Sequence, residues 1–266
     1  MRIGGGELKL IKDLTWPEIR ESSRNGAIVV LPTGSIEQHG YHLPTQTDTL
    51  LVESVVQGAV EIIGRVEDPH NFLIAPTIWL GASDHHKPFF ALSLREETYI
   101  DMIIDIAGSI AEAGFRRLFI VNGHGGNSAP LRVALSGLKR TAPDLMVATG
   151  NYWSIAASGL RALRKSNPGG AAHAGEIETS LMLHLAPGSV RSEAAPPSVP
   201  DTPDGFEIDL IDAGSIVVNL PWNALSERGH IGDPTLATAD AGDGFFKAAI
   251  RAVATALVGF ANYRSE

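Results

Sequence analysis

Glu37 and His39 stand two positions apart in "LPTGSIEQHG" (residues 31–40), directly behind the apolar run "GAIVVL". In an extended segment residues i and i+2 point the same way, so this carboxylate and imidazole can share a target. Asp48 follows a turn containing Pro44 and opens a helical pattern. Its carboxylate can face back toward that target, although a helix N-cap explains an isolated Asp equally well. A second cluster is "NGHGGN", Asn122 to Asn127. Glycines beside His124 remove bulk and admit unusual backbone angles, which lets the imidazole occupy a crowded site. The stretch lacks the Lys and spacing of a P-loop and of the dinucleotide fingerprint. An α/β-hydrolase oxyanion loop would need a G-x-S-x-G elbow, and the chain has none. A third cluster, "HAGEIETS", carries His173, Glu176 and Glu178 around a helix start, where carboxylates are stabilised in any case. Histidines 39, 42, 85, 86, 124 and 173 all fall in these stretches, in the continuation "YHLPTQTD" (41–48) of the first, or in "GASDHHK" (81–87). Random scatter does not favour that concentration.

Carboxylates and imidazoles without thiolates suit Zn, Mn or Fe ions rather than calcium. The chain has no cysteine, which removes disulfides, thiolate zinc sites and cysteine nucleophiles. A catalytic zinc usually has three protein ligands, fewer than the candidates here. Two divalent ions per chain sharing one carboxylate account for the surplus. Such a pair lowers the pKa of a water and polarises a substrate carbonyl. The formal charge of −9 and the absence of a dense basic cluster argue against a phosphate-backbone partner, so no nucleic acid is expected. The amino-terminal "MRIGGGELKLIKDLTW" lacks the apolar core of a signal peptide, and no apolar run approaches 18 residues. The expectation is a cytoplasmic protein with no membrane partner.

Alternating segments must position these groups. Strands are expected at 26–32, 71–81, 116–123 and 144–153, and helices at 47–66, 95–115, 128–143 and 175–187. A Pro-rich loop covers 195–204, and the tail from 234 to 263 reads as one long amphipathic helix. This order implies βαβ units: an α/β fold with a mostly parallel sheet, helices on both faces, and a single domain over 1–266. Ligands of such sheets sit beyond the carboxyl ends of the strands, where the loaded stretches follow.

Four ordered stretches, "LPTGSIEQHGYHLPTQTDT", "NGHGGN", "HAGEIETSLML" and "GHIGDPTLAT", make most of the chain resemble the creatininase (creatinine amidohydrolase) family. The resemblance implies a three-layer α/β/α sandwich, a homohexamer, and a dinuclear site hydrolysing C–N bonds of small cyclic or linear amides. It makes Glu37, Asp48 and His124 ligands of one ion, and His39 with a bridging Asp48 ligands of the other. Creatinine-hydrolysing members supply a further Glu where this chain has Gly126. The missing carboxylate is assigned to Glu178, with Glu176 as second choice and otherwise a catalytic group. His173 matches the family's proton-transferring histidine, and Ser83 a substrate-contacting position. Trp153 and Trp222 are candidate pocket walls, and the substrate is a small molecule. The Gly126 departure points away from creatinine toward the wider family, which includes formylamide deformylases, a mycofactocin-precursor peptidase and a ring-opening hydrolase of diketo-inositols. Cleavage of a C–C bond in a cyclic diketone on the same centre is therefore the alternative activity. A catalytically silent metal-binding protein is a third reading; it would call for missing ligands.

Overall fold

A computed structural model describes residues 8–66, 70–191 and 195–264. The first seven residues of the amino-terminal stretch lie outside it. Four parallel strands form the central sheet: β1 (Ile28–Thr33), β2 (Phe72–Ile74), β3 (Arg117–Asn122) and β4 (Met146–Asn151). Their spatial order is β2-β1-β3-β4. Both faces of the sheet are covered, which is why β1 reads as a continuous apolar run rather than an alternating one.

The pleat divides that run between two cores. Ile28, Val30, Phe119 and Val121 join α2 (Thr47–Arg65) and α9 (Ala239–Asn262) on one face. Val29, Leu31, Leu118 and Ile120 join α3 (Glu96–Glu112) and α4 (Ser128–Thr141) on the other. This is an α/β sandwich of three layers. The chain steps from β1 outward to β2 through α2, then returns across β1 to β3 through α3. The strand order reverses between β1 and β3, so a crevice opens at their carboxyl ends.

Several expectations are revised. The strand expected at 71–81 pairs only over Phe72–Ile74. Pro76 cannot donate to a ladder, and beyond it Ile78 and Gly81 make isolated bridges. The strand expected to end at 153 stops at Asn151, and Tyr152–Ile155 forms a short helix, α5. The last helix begins at Ala239 rather than at 234. Pro234–Leu236 is a 3₁₀ turn, and the Thr238 side chain caps the helix by accepting from the Ala241 N–H. By length and mean hydropathy α9 would be long and apolar enough to cross a membrane, although Lys247 and Arg251 interrupt its apolar sequence. One face of it, including Phe245, Ala249, Val253 and Leu257, is fully buried in the core.

Two elements near the crevice were not anticipated. A small antiparallel pair, β5 (Ala171–His173) and β6 (Ile231–Gly232), sets His173 opposite Ile231. It leads into α7 (Glu176–Leu185), which packs along α9.

Candidate metal centre

The crevice is built by close backbone approaches. A Cβ on Gly123 would lie 2.5 Å from Val52 Cβ, so only glycine lets the exit of β3 touch the first turns of α2. That contact brings His124 up to Asp48. Two asparagines fold the loop between them. The Asn122 amide donates to His124 O (2.6 Å), and its Oδ1 accepts from the His124 N–H (3.2 Å). Asn127 donates to Gly34 O (3.0 Å) and accepts from the Ala82 N–H (3.0 Å), tying the ends of β1, β3 and the segment after β2 together.

Three carboxylates and three imidazoles converge there. Ligand atoms of Glu37, Asp48 and His124 lie within 4.8 Å of one another, as do those of His39, Asp48 and Glu178, and those of Glu37, His39 and His173. Asp48 sits at the middle. Its Oδ1 is 3.0 Å from His39 Nε2, and its Oδ2 is 3.0 Å from His124 Nδ1. Glu37 Oε2 is 3.2 Å from the same His124 nitrogen.

Backbone partners show which imidazole nitrogens face inward. His124 Nε2–H donates to Ala82 O (3.1 Å), His39 Nδ1–H to Glu37 O (3.1 Å) and His173 Nε2–H to Gln38 O (2.7 Å). In each ring the remaining nitrogen points at a carboxylate: Asp48 and Glu37 for His124, Asp48 for His39, and Glu37 at 3.8 Å for His173. Holding one ring nitrogen by a carbonyl so that the other presents its lone pair is the usual support for a metal-binding histidine. Glu37 Oε2 and Asp48 Oδ2 are buried without a hydrogen bond. Unpaired buried carboxylate oxygens are costly, and a cation beside His124 Nδ1 satisfies both together. The donor set is therefore suited to a divalent transition ion.

The local field fits that deficit of positive charge. Burial would raise the Glu37 carboxyl, but His124 and His86 beside it outweigh burial and hold it well below the usual carboxylate range. Burial would lower His124 and His39, yet Glu37 and Asp48 push the first well above its ordinary value, and chiefly Asp48 lifts the second to about 9. Burial drives Glu178 up to about 7 despite His39, with Asp48 adding to the rise. His173 moves the other way, well down, chiefly through burial, with the neighbouring His39 and His86 adding to the fall.

The remaining expected residues are placed as follows. Trp153 joins Trp222, Ile208 and Leu210 around a cleft of about 210 Å³ that opens onto Glu37, Asp48, His124, His173 and Glu178. Ser83 does not face this cleft. Its buried Oγ lies 2.6 Å from Ser35 Oγ and 3.2 Å from His124 Nε2, behind the imidazole. Glu176 is also displaced from its expected place. Its carboxylate accepts from the Lys165 N–H (2.9 and 3.1 Å) and the Ser166 N–H (2.7 Å), away from the cluster. Glu178 lies two residues further on, roughly 200° around α7, and it points at the crevice. His86, Gln38 and the two asparagines were missed as parts of the site. The only sequence signal for His86 was its membership of the histidine-rich "GASDHHK".

An α/β sheet whose strand ends carry a buried carboxylate–imidazole cradle defines an enzyme scaffold with a candidate cation centre. The chain belongs to the creatininase family, described as creatinine amidohydrolase, which matches residues 12–257. Its members are hydrolases, and so is this chain. A mycofactocin precursor peptide peptidase of Mycobacterium tuberculosis is 34% identical, covering 84% of this chain and 81% of the relative. A creatinine amidohydrolase of Pseudomonas putida is 29% identical (76% and 81% covered), and a 3-dehydro-scyllo-inosose hydrolase of Thermotoga maritima 27% (82% and 68%). Among solved structures, creatinine amidohydrolase superposes with a TM-score of 0.78 at 26% identity, covering 97% of this chain and all of that one. A creatininase described as Mn gives 0.76 at 26% identity, covering 96% and 99%.

Proposed function

We propose that this chain is a dinuclear metal-dependent amidohydrolase that cleaves a C–N bond of a small cyclic or linear amide. Glu37, Asp48 and His124 would hold one Zn, Mn or Fe ion, and His39, Asp48 and Glu178 the second, with Asp48 shared. The observation that carries this reading is the pair of unpaired, buried oxygens on Glu37 and Asp48 beside a carbonyl-oriented His124. Two such ions, when bound, supply a water of lowered pKa and polarise a carbonyl.

The chain's own groups do the rest. His173 has its Nε2 proton engaged by Gln38 O, so Nδ1 is the atom that collects a proton beside Glu37 and delivers it to the leaving nitrogen. Trp153, Trp222, Ile208 and Leu210 narrow the cleft and exclude water around the reacting bond. The cleft admits a small amide or the end of a longer one. Relatives named as a peptidase and as a creatinine amidohydrolase support a C–N bond as target. The relative named as an inosose hydrolase favours a second reading, C–C cleavage of a cyclic diketone by the same groups.

The test is metal analysis of purified protein, before and after chelation and readdition of Zn or Mn, followed by one panel of lactams, formamides, short peptides and cyclic diketones. Close to two divalent ions per chain and turnover of an amide are expected. Absence of any bound ion after readdition would overturn the dinuclear reading, and turnover of diketones alone would overturn the amide.

A further inference from the structure

His86 is fully buried at the crevice, yet its orientation is the reverse of the three inward-pointing histidines. Its Nδ1 lies 2.8 Å from the Gln38 side-chain nitrogen, and its Nε2 lies 2.9 Å from Glu37 Oε1. Which end of the Gln38 amide is nitrogen follows from backbone on both sides. Oε1 accepts from the Gly40 N–H (2.9 Å), and Nε2 donates to Gly229 O (2.8 Å). The amide nitrogen has two protons to give. Gly229 O takes one, and the other goes to His86 Nδ1, which is nearer than His173 Nε2 (3.1 Å), whose own proton is engaged by Gln38 O. His86 Nδ1 is therefore the acceptor and Nε2 carries the proton. His86 thus gives a hydrogen bond to Glu37 rather than a lone pair to a cation. The bond is made to Oε1, which leaves Oε2 as the free oxygen turned toward His124 Nδ1.

The same carbonyl that anchors Gln38 also anchors the cleft wall. Trp222 Nε1 donates to Gly229 O (2.6 Å), and the indole packs on His86 at 4.1 Å between ring centroids. Resting on the dinuclear reading, we propose that Gln38 and His86 are positioning residues. The Gln38 amide fixes the His86 tautomer, His86 fixes which oxygen of Glu37 faces the ion, and Trp222 closes the unit through their shared Gly229 carbonyl.

The experiment uses the full-length protein and reads metal affinity by competition with a chromogenic chelator, not turnover. His86→Phe keeps the ring volume and removes the donor. It should weaken divalent-ion binding about 10- to 100-fold, the usual cost of losing a hydrogen bond to a metal ligand. His86→Gln places an amide nitrogen near the position of Nε2 and should restore affinity to within a few-fold. Gln38→Met should weaken binding in the same direction. A merely structural role gives the opposite order, with Phe tolerated and Gln not, and that result overturns the proposal. Long-range ¹H–¹⁵N NMR of the unmodified protein, with the His86 signal assigned by its loss in His86→Gln, should show the proton on Nε2. A proton on Nδ1 alone would refute the relay even if the variants fail to fold. Should the unmodified protein bind no ion, the dinuclear reading fails, while the NMR result still decides the relay.

Discussion

Gly126→Ala tests how tightly the cradle is built. A Cβ on Gly126 would lie 2.1 Å from Ala82 O, 2.5 Å from His124 Nε2 and 2.7 Å from His85 Cε1. The first two are the acceptor and donor of the bond that orients His124. One of these neighbours has to move, and two of them are backbone or ligand-bearing. Overpacking of this kind costs about 1–3 kcal/mol, which for a chain of this size lowers Tm by roughly 2–10 °C. The larger effect falls on the ion. Displacing the Ala82 carbonyl frees the His124 ring to turn, and loss of such a support weakens metal binding about 10- to 100-fold. Thermal unfolding in chelator and chelator competition at a permissive temperature separate the two effects. A variant with unchanged Tm and unchanged ion affinity would refute the claim that the glycine is a steric requirement, and with it the role of Ala82 O.

Asp48→Asn should abolish binding of both ions and turnover together, because no orientation of an amide accepts from both sides; metal analysis showing one ion retained would limit Asp48 to a single site. Trp222→Ala should raise KM about tenfold or more for the hydrolysed substrate with a smaller change in kcat, as expected for an apolar wall, and a kcat effect alone would contradict this. Acid sensitivity follows from His42, which burial and the neighbouring His230 lower from 6.5 to about 4. Between those values the unfolded chain binds the proton that the folded one refuses, so stability falls as pH drops from 6.5 to 4, by at most about 3 kcal/mol. Denaturant titrations in chelator at pH 7, 5.5 and 4.5 should show that slope. His42→Gln, which keeps a donor for Ala174 O (3.0 Å in the unmodified chain), should make it shallower without removing it, because His85 and His173 are lowered as well.

The parts of the site that were legible in the sequence are those whose geometry is local. Glu37 and His39 point together because the segment is extended, and His124 announces itself by its glycines. Glu176 against Glu178 could not be separated without the phase of α7, which is set by packing against α9 and not by the two residues themselves. Ser83 sits in a loop whose path depends on where the sheet releases the chain, and Pro76 releases it earlier than the apolar pattern of 71–81 implies. His86 was illegible for a different reason. Its role turns on one proton, and the group that places it, Gln38, lies 48 residues away. The sheet was more readable, since buried parallel strands need continuous apolar runs and both cores draw on alternate residues of the same runs.

The loop and the helix divide the work of the cradle in a way that bears on substrate. At Gly126 there is no room for any side chain, so a carboxylate cannot enter the centre from that loop. Glu178 approaches from the opposite wall, on the first turns of a helix whose carboxyl half is locked against α9, and its Oε2 is already held by the Ala174 N–H (2.6 Å). A ligand carried by a packed helix is less mobile than one on a surface loop, and moving it leaves the wall at Gly123, Gly125 and Gly126 bare. The cleft beside that wall is lined by Trp153 and Trp222, and among the described residues no Lys or Arg lines it. A substrate in the cleft meets the apolar faces of Trp153, Ile208, Leu210 and Trp222 as well as the acidic cradle. Amides with an apolar group beside the scissile bond should therefore be hydrolysed in preference to ones bearing a carboxylate.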